Sequence, residues 1–234
     1  MAKGCTENGK FVKYYLKTIV LMFYIQSFTF SAVQENTYLL WNDDKDCIII
    51  DPGCYHPAEQ EELTDFIDEN LLNPKLLLNT HCHLDHVFGE KYVAERYNLT
   101  PHIHPNEKIV LQMAKVMGDA WGMPFDAYEG PVELLQPNQE IKLGYDILKV
   151  LFTPGHSPGH VCFYCETQGF VIGGDVLFKG SVGRTDLPGG NHKVLIESIE
   201  TELLTLPDST RVFSGHGPMT TIGNERFGNP YLNN

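Results

Sequence analysis

The sequence predicts a mixed α/β protein of the α+β type, built as a four-layer αββα sandwich. Two observations lead to this prediction. Strand-like segments cluster in each half of the 234-residue chain, with helical segments between them, and no repeat, low-complexity tract or linker separates the halves. Because each sheet must bury a face against another layer, two facing sheets with helices outside accommodate both halves.

The first half alternates strand-like and helical segments. Leu63, Ile67 and Leu71 recur at helical spacing, which predicts an amphipathic helix. KLLLNT, at 75–80, predicts a short buried strand that runs straight into a cluster of histidines. In chain order the predicted elements are strands at 22–30, 36–42 and 47–53, a helix at 57–71, a strand at 75–80, and helices at 86–98 and 106–118.

The second half returns to strands after a loop at 119–131 that is rich in glycine, proline and aromatic residues. This loop is expected to border a pocket, with Trp121, Phe125 and Tyr128 as walls. Cys162 and Cys165 lie three positions apart in a predicted strand and therefore point to opposite faces, which predicts buried structural thiols. The predicted elements are strands at 140–144, 145–155, 160–166 and 169–178, a helix at 192–206, and a strand at 211–217.

The N-terminus is expected to be an extension, residues 1–21, that is disordered or precedes the native start of a single domain over 22–234. Its lysines and the apolar run TIVLMFYI resemble a signal peptide. The run is short, no small-x-small cleavage site follows, and it is too short to span a bilayer. A cytoplasmic location without membrane attachment is therefore expected.

Charge and composition narrow the range of partners. The chain is 42% hydrophobic and 20% charged, as in ordinary soluble proteins, and its formal net charge is −13. A surface this acidic repels phosphate backbones, so no nucleic-acid partner is expected. A small-molecule substrate is expected instead, and a homo-oligomer is left open.

Metal-ligand side chains gather in NTHCHLDHVFG, at 79–89, and after other predicted strands. Imidazoles with carboxylates suit zinc, iron or manganese, and seven ligands are too many for one tetrahedral ion. Asp51 also ends an apolar strand, CIIID. The seven candidates are His81, His83, Asp85, His86, His156, Asp175 and His216.

The spacing within the cluster predicts two ligand pairs. His81 and His83 share a face if the chain is extended there, whereas the adjacent Asp85 and His86 cannot. The backbone must therefore turn between the pairs, and Asp85 is expected to cap a helix that starts at Val87. Two pairs separated by a turn indicate two metal ions.

Five motifs carry a family resemblance. HCHLDH matches the H-x-H-x-D-H signature of the metallo-β-lactamase superfamily, and IIIDPG, TPGHSPGH, GGDVLF and SGHG match its other motifs in order. TPGHSPGH, GDVLFKGSVGRTDLPGG and GPMTTIGNERFGNPYL resemble the small glyoxalase II-like (hydroxyacylglutathione hydrolase-like) branch. The resemblance covers 22–234 and implies the metallo-β-lactamase fold. It also implies that the C-terminal helical domain is missing, since 18 residues (217–234) follow His216.

The resemblance implies a role for each candidate. Asp175 would bridge two divalent ions, with zinc favoured over iron or manganese, and Asp51 would orient the histidine loop without binding metal. Asp85 and Asp175 are the expected catalytic carboxylates. The first ion would be held by His81, His83 and His156, and the second by Asp85, His86 and His216.

Arg184 is the expected substrate-binding residue. By position it replaces a lysine that glyoxalase II enzymes use to hold the glutathione carboxylate, and arginine can make that contact bidentately. The alternative is a surface ion pair with Asp186, which stands where the family has a tyrosine. Because of this departure and the missing domain, the identity of the thiol carrier in the substrate is left open.

The implied activity is metal-dependent hydrolysis of S-acyl thioesters of the S-lactoylglutathione type by a metal-bridging hydroxide. A thiol of pKa about 8.5 can leave as thiolate, and no strong general acid is visible beyond Asp85. The alternative is a mononuclear-iron persulfide dioxygenase that uses only His81, His156 and Asp175. A nuclease or another ester or lactone hydrolase on the same fold comes third, and a non-catalytic metal-binding protein last.

The remaining polar residues near these motifs receive structural interpretations. His160 is expected to form hydrogen bonds within the TPGHSPGH turn. His102 and His104 are expected to lie at a strand exit without binding metal. Cys82, between two ligands, is expected to point away from them and to be buried.

Overall fold

Two six-stranded sheets form the centre of the protein, seen in a computed structural model that describes residues 23–232. The predicted extension at 1–21 lies outside the described residues. The first sheet is antiparallel over its first three strands and parallel over the rest. Its strands, in spatial as well as chain order, are β1 (Tyr24–Phe30), β2 (Glu35–Trp41), β3 (Asp46–Ile50), β4 (Asn73–Leu78), β5 (Pro101–Ile103) and β6 (Glu133–Leu134).

The second sheet comes from the second half of the chain, as predicted. It begins with β7 (Glu140–Leu143), β8 (Asp146–Phe152), β9 (Val161–Cys165) and β10 (Phe170–Gly174). A separate hairpin of β11 (Leu177–Phe178) and β12 (Ser181–Val182) follows, and β13 (Arg211–Ser214) and β14 (Thr220–Thr221) complete the sheet. Its spatial order is β14-β13-β10-β9-β8-β7, with β13 parallel to β10.

Helices cover the outer faces of both sheets. They are α1 (Pro57–Glu69), α2 (Glu90–Tyr97), α3 (Lys108–Ala120), α4 (His192–Ser198), which continues as a π-helical turn over Ile199–Leu203, and α5 (Ile222–Gly228). Two 3₁₀ turns occupy Leu84–His86 and Pro105–Glu107. Within 23–232, none of the helices is long and apolar enough to cross a membrane.

Strand alternation divides the apolar side chains into layers. Leu40 and Ile48 in the first sheet pack with Val150 and Phe163 in the second, between the sheets. One outer cluster joins Leu39, Ile49 and Leu77 to α1 and α2 through Leu63, Ile67 and Val93. Another joins Leu151 and Val171 to Leu195 and Ile199 of α4 and its π-helical turn. The predicted four-layer αββα sandwich is therefore confirmed.

The two cysteines of β9 follow the same alternation. Cys162 packs in the outer cluster of the second sheet and Cys165 in the cluster between the sheets. Both are buried and unpaired. The prediction of structural thiols on opposite faces is confirmed, because residues three apart in a strand face opposite ways.

The predicted helix at 86–98 was wrong at its start. Asp85 lies within the first 3₁₀ turn and does not cap a helix at Val87, because α2 begins only at Glu90, after Gly89. The Gly89 amide donates to the Pro52 carbonyl at 2.8 Å, so this segment is fastened to the loop after β3. The second ligand pair lies within this turn, which follows the extended His83, so the backbone changes direction between the two pairs as the spacing had required.

Candidate metal centre

The seven candidate ligands meet at one edge of the sandwich, where loops leave the ends of several strands. His81 and His83 follow β4, and His156 lies between β8 and β9. Asp175 follows β10 and His216 follows β13. The parallel pairing of β10 with β13 brings the last two to the same edge. This is how a rigid scaffold positions side chains from distant parts of a chain.

The first cluster consists of three imidazole nitrogens from His81, His83 and His156. His156 Nε2 lies 2.8 Å from His83 Nδ1 and 3.2 Å from His81 Nε2. The His156 Nδ1–H donates to the Arg184 carbonyl at 2.7 Å, so its Nε2 lone pair faces the other two rings. Ligands on a tetrahedral zinc, at about 2.05 Å each, lie about 3.3 Å apart. The first cluster therefore matches the donor spacing of one ion.

Electrostatics also favours a cation in the first cluster. Burial lowers the pKa of His83 to about 3. Burial first, and then the neighbouring imidazoles, lower the pKa of His81 well below its usual range. The two rings are therefore neutral at pH 7, and neutral imidazole is the form that binds metal.

The second cluster consists of Asp85, His86 and His216. His216 Nε2 lies 3.2 Å from Asp85 Oδ2, and His86 Nε2 lies 3.9 Å from the same oxygen. The His216 Nδ1–H donates to the carbonyls of Val33 and Gln34, each at 3.1 Å. This fixes the ring with its other nitrogen facing the cluster.

Asp175 lies between the two clusters. Its Oδ2 is 3.5 Å from His156 Nε2 in the first cluster and 3.6 Å from His216 Nε2 in the second, and its Oδ1 is 3.5 Å from His86 Nε2. Burial opposes ionisation of Asp175, but His86 and His156 hold its pKa well below the usual range. The carboxylate is therefore placed and charged as a bridge requires.

Two atoms at this junction test whether a metal fits. His86 Nε2 and Asp175 Oδ1 are both buried and lie 3.5 Å apart, and neither forms a hydrogen bond within residues 23–232. Buried polar atoms in native proteins are almost always satisfied, so such a pair is suited to contact with a bound ion. The chemistry of the donor set, imidazole with carboxylate, suits zinc, iron or manganese. These residues therefore fit divalent metal.

Asp51 lies behind the second cluster with both of its oxygens engaged. Its Oδ1 accepts from the Thr80 amide at 2.7 Å, and its Oδ2 accepts from the Thr80 hydroxyl at 2.6 Å. The His86 Nδ1–H donates to Oδ2 at 3.1 Å, which leaves His86 Nε2 facing the centre. Asp51 is also near enough to His81 and His86 to share an ion with them, but these hydrogen bonds support the orienting role that the resemblance implies.

His160 forms the hydrogen bonds expected of a structural residue. Its Nε2 accepts from the Asp175 amide at 3.0 Å, so its Nδ1–H donates to the Thr153 hydroxyl, also at 3.0 Å. The ring stacks on His81 with centroids 4.9 Å apart. His160 thus supports His81 of the first cluster and Asp175, which lies between the clusters.

His102 lies within β5 and not at its exit, whereas His104 directly follows that strand. His102 donates to backbone carbonyls and His104 stacks on Phe152, and neither joins a metal-type group among the described residues. Cys82 is fully buried in an apolar cluster that includes Leu84 and Phe88. Its side chain therefore packs in the core beside the histidine loop.

Gly215 explains why the last ligand motif contains glycine. A Cβ atom at this position would collide with Asp175 Oδ1 and with the His86 ring. Any larger residue would displace two candidate ligands from their positions. Glycine is required here because backbone and metal centre approach so closely.

Glu107 is a supporting residue that the sequence reasoning missed. It is fully buried at the start of α3. Its Oε2 accepts from the Cys82 amide at 2.8 Å, and its Oε1 accepts from the Ser157 hydroxyl at 2.5 Å and the Gly159 amide at 2.7 Å. One carboxylate thus ties the loop carrying His81 and His83 to the loop carrying His156.

Replacing Glu107 with glutamine is expected to weaken metal binding by about ten- to a hundredfold, the usual cost of losing a ligand-supporting partner. The amide NH₂ would face a backbone or hydroxyl donor, and each lost bond to a buried donor costs about 1–3 kcal/mol. Chelator competition on the purified variant measures the zinc affinity.

Glu225→Gln is the matched control for this prediction. Glu225 is also a buried carboxylate, and it accepts from the Gly180 amide and the Thr220 hydroxyl. It lies outside both metal-type clusters. The control variant is expected to lose stability but to keep the wild-type zinc affinity. Equal zinc affinity in the two variants would contradict the role assigned to Glu107.

A cavity of about 750 Å³ opens over the metal centre, within the usual range for small-molecule sites. Arg184 lines it, but its guanidinium binds Asp186 bidentately, with both N–O distances at 2.7 Å. That ion pair lowers the pKa of Asp186 to about 2. The structure thus contains the ion pair that the sequence offered as the alternative for Arg184.

The expected aromatic wall was only partly right. Trp121 lines the cavity, whereas Phe125 and Tyr128 do not. Phe125 packs on Phe88 with ring centroids 5.0 Å apart, and the Tyr128 hydroxyl donates to the Pro131 carbonyl. Phe125 thus packs against the body of the protein and the Tyr128 hydroxyl bonds within the loop, so neither ring lines the cavity over the metal centre.

Comparison with known proteins places the chain among metal-dependent hydrolases. The family model of the metallo-beta-lactamase superfamily matches residues 31–216. A probable metallo-hydrolase, YqgX of Bacillus subtilis (strain 168), is 42% identical over 202 residues, covering 86% of this chain and 93% of the relative. Hydroxyacylglutathione hydrolase GloC of Haemophilus influenzae is 38% identical over 205 residues, covering 87% and 95%.

Solved structures agree with this placement. The B3 metallo-beta-lactamase BLEG-1 superposes with a TM-score of 0.83 at 36% identity, covering 90% of this chain and all of that one. TTHA1623, solved in a di-iron-bound form, superposes with a TM-score of 0.80 at 39% identity, covering 88% and 100%.

Proposed function

Because this chain belongs to the metallo-beta-lactamase superfamily, we propose that it is a two-metal hydrolase that cleaves S-acyl thioesters. One observation carries the proposal: two complete ligand clusters face each other, with the Asp175 carboxylate 3.5–3.6 Å from nitrogens of both. A superfamily member that hydrolyses substrates with two ions needs this arrangement.

The proposed ligand sets follow the two clusters. His81, His83 and His156 would hold one ion, Asp85, His86 and His216 the other, and Asp175 both. Zinc is the proposed metal, with iron as the alternative because the similar TTHA1623 protein was solved with two irons. Manganese would also suit the donor set.

When bound, two divalent ions supply a hydroxide nucleophile near neutral pH and polarise a carbonyl. The protein's own part is to hold the ligands and to admit a substrate through the cavity above them. Asp51 and His160 keep His86 and Asp175 in orientation through their hydrogen bonds. These contacts fix the site before substrate arrives, which is what rapid catalysis requires.

The charge state of the cavity carboxylates favours a thiol leaving group. Burial opposes ionisation of Asp85, but His86 and His216 lower its pKa. Asp175 is ionised as well. Neither carboxyl that lines the cavity therefore holds a proton ready for a departing amine, whereas a thiol of pKa about 8.5 leaves as thiolate without that help. The relative named hydroxyacylglutathione hydrolase supports a thioester substrate.

The second cluster favours the hydrolase over the mononuclear-iron dioxygenase. A dioxygenase using only His81, His156 and Asp175 would leave Asp85 and His86 without a function. Yet His216 Nε2 lies 3.2 Å from Asp85 and its ring is fixed by two backbone carbonyls. The cytoplasmic location, the small-molecule substrate and the absence of nucleic-acid and membrane partners stay predictions.

Removal of metal tests the proposal. Dialysis against a chelator is expected to abolish hydrolysis of S-lactoylglutathione and other thioesters, and zinc, iron or manganese is expected to restore it. The measurement is release of free thiol, with a cephalosporin in the same panel because one similar structure is a lactamase. Chelator-resistant turnover, or cleavage of the cephalosporin alone, would contradict a metal-dependent thioesterase.

A further inference from the structure

An apolar wall runs along one side of the cavity. Ile109, Met113, Met117 and Trp121 recur every four residues along α3 and its C-terminal end, and all four line the cavity. Ile109, Met113 and Trp121 are 56%, 40% and 45% exposed. At 1.5 Å per residue the wall is about 18 Å long. Side chains of this kind are normally buried by a core or by a ligand.

A second part of the cavity lining is apolar as well. Phe178 and Val182 belong to the β11–β12 hairpin, Leu187 belongs to the loop that follows, and all three line the cavity. The candidate ligands His83, Asp85 and His216 also line it. The cavity therefore combines a metal centre with an apolar lining, which suits a ligand with an apolar arm beside its reactive group.

The β11–β12 hairpin places a cation at the cavity. Lys179 lines the cavity from the tip of the β11–β12 hairpin and is exposed. No carboxylate of residues 23–232 forms an ion pair with it, whereas Arg184 is paired with Asp186. The tip is fixed because the neighbouring Gly180 amide donates to the buried Glu225 carboxylate at 2.8 Å.

We propose, on the basis of the thioesterase function above, that the substrate carries an apolar acyl arm of medium length and an anionic thiol carrier. The acyl arm lies along Ile109, Met113, Met117 and Trp121, and an anionic group of the carrier contacts Lys179. A short polar acyl group such as lactoyl would leave this wall in water. An aliphatic chain buries it, and each buried methylene contributes about a fourfold gain in binding.

Binding can be measured without turnover. Trp121 lines the cavity, and the other tryptophan of the chain, Trp41, packs on the outer face of the first sheet. Octanoate added to the metal-loaded protein is expected to shift the tryptophan emission at concentrations where acetate does not. Trp121→Phe is expected to remove the shift. Equal responses to octanoate and acetate would overturn the proposal.

Turnover of thioesters with acyl groups of increasing length tests whether the same wall binds the acyl arm. With glutathione as the constant thiol, kcat/KM is expected to rise at least about tenfold from acetyl to octanoyl, since even partial burial of six methylenes exceeds that factor. Met113→Ser is expected to remove most of this gain. Val116→Ser is the matched control, because Val116 is 65% exposed on the same helix but does not line this cavity.

The proposed contact between Lys179 and an anionic thiol carrier is tested by comparing a charged with a neutral carrier. Lys179→Gln is expected to raise KM for octanoyl-glutathione but not for the octanoyl thioester of neutral N-acetylcysteamine. Lys193→Gln removes the same charge from an exposed position outside the cavity, and both KM values should stay unchanged. Identical KM changes for the charged and neutral carriers would overturn the assignment of Lys179.

The proposed apolar acyl arm and the proposed thioesterase activity would be contradicted by different results. Acetyl and octanoyl thioesters cleaved with equal efficiency would overturn the apolar arm and leave the thioesterase intact. Failure to cleave any thioester would contradict the thioesterase, and the octanoate titration alone would then decide whether the wall binds an aliphatic ligand.

Discussion

Replacing Asp175 with alanine is expected to lower thioester hydrolysis by on the order of a thousandfold, which corresponds to about 4 kcal/mol of transition-state stabilisation. Asp175 is the only carboxylate that lies within 3.5–3.6 Å of nitrogens from both clusters of the described structure. Without it the two proposed ions lose their common ligand. The imidazoles of His86 and His156 also lose the negative charge between them.

The experiment compares kcat/KM and metal content in Asp175→Ala, Asp175→Asn and wild type. Asparagine keeps the shape of the side chain but removes its charge, so that variant should be nearly as inactive. Asp208→Ala is the matched control because Asp208 is an exposed carboxylate paired with Arg226. Turnover near the wild-type level in Asp175→Ala would contradict the proposed centre.

Replacing His216 with alanine is expected to reduce the bound metal from two ions to one per chain. Turnover should fall by at least the roughly hundredfold that loss of a supporting partner can cost. His216 faces Asp85 at 3.2 Å and its side chain is 27% exposed. Its removal therefore takes a ligand from the rim of the second cluster without opening a hole in the core.

Elemental analysis and thiol release on the same sample measure the two effects. His192→Ala is the matched control, because His192 is exposed at the start of α4 and lies outside both clusters. It should keep two ions and full turnover. A His216→Ala variant that keeps two ions and unchanged turnover would contradict the role of His216 as a ligand of the second ion.

Much of the architecture follows from local patterns. Alternation places Leu39 and Leu40 on opposite faces of β2, and the same rule separates Cys162 from Cys165. The candidate ligands stand at strand ends, where parallel pairing brings distant residues to one edge. Strand alternation and the place of each ligand at the end of its own strand depend on residues near one another in sequence, so the sequence alone predicts them.

Other features depend on contacts that no local pattern reveals. Glu107 supports loops 25 and 52 residues away, at Cys82 and Gly159. From the sequence alone, Glu107 can be recognised only as a glutamate near the start of a helix. The start of α2 is delayed because Gly89 bonds to Pro52 across a loop. Phe125 is similarly withdrawn from the cavity by Phe88. In each case a contact with a residue that is distant in sequence determines where the side chain or helix lies.

A zinc titration of the metal-free protein, followed by thioester hydrolysis, tests the central claim most directly. Two clusters joined by Asp175 predict that activity rises until two equivalents of zinc per chain are bound and then stays constant. Full activity at one equivalent would contradict a two-metal hydrolase.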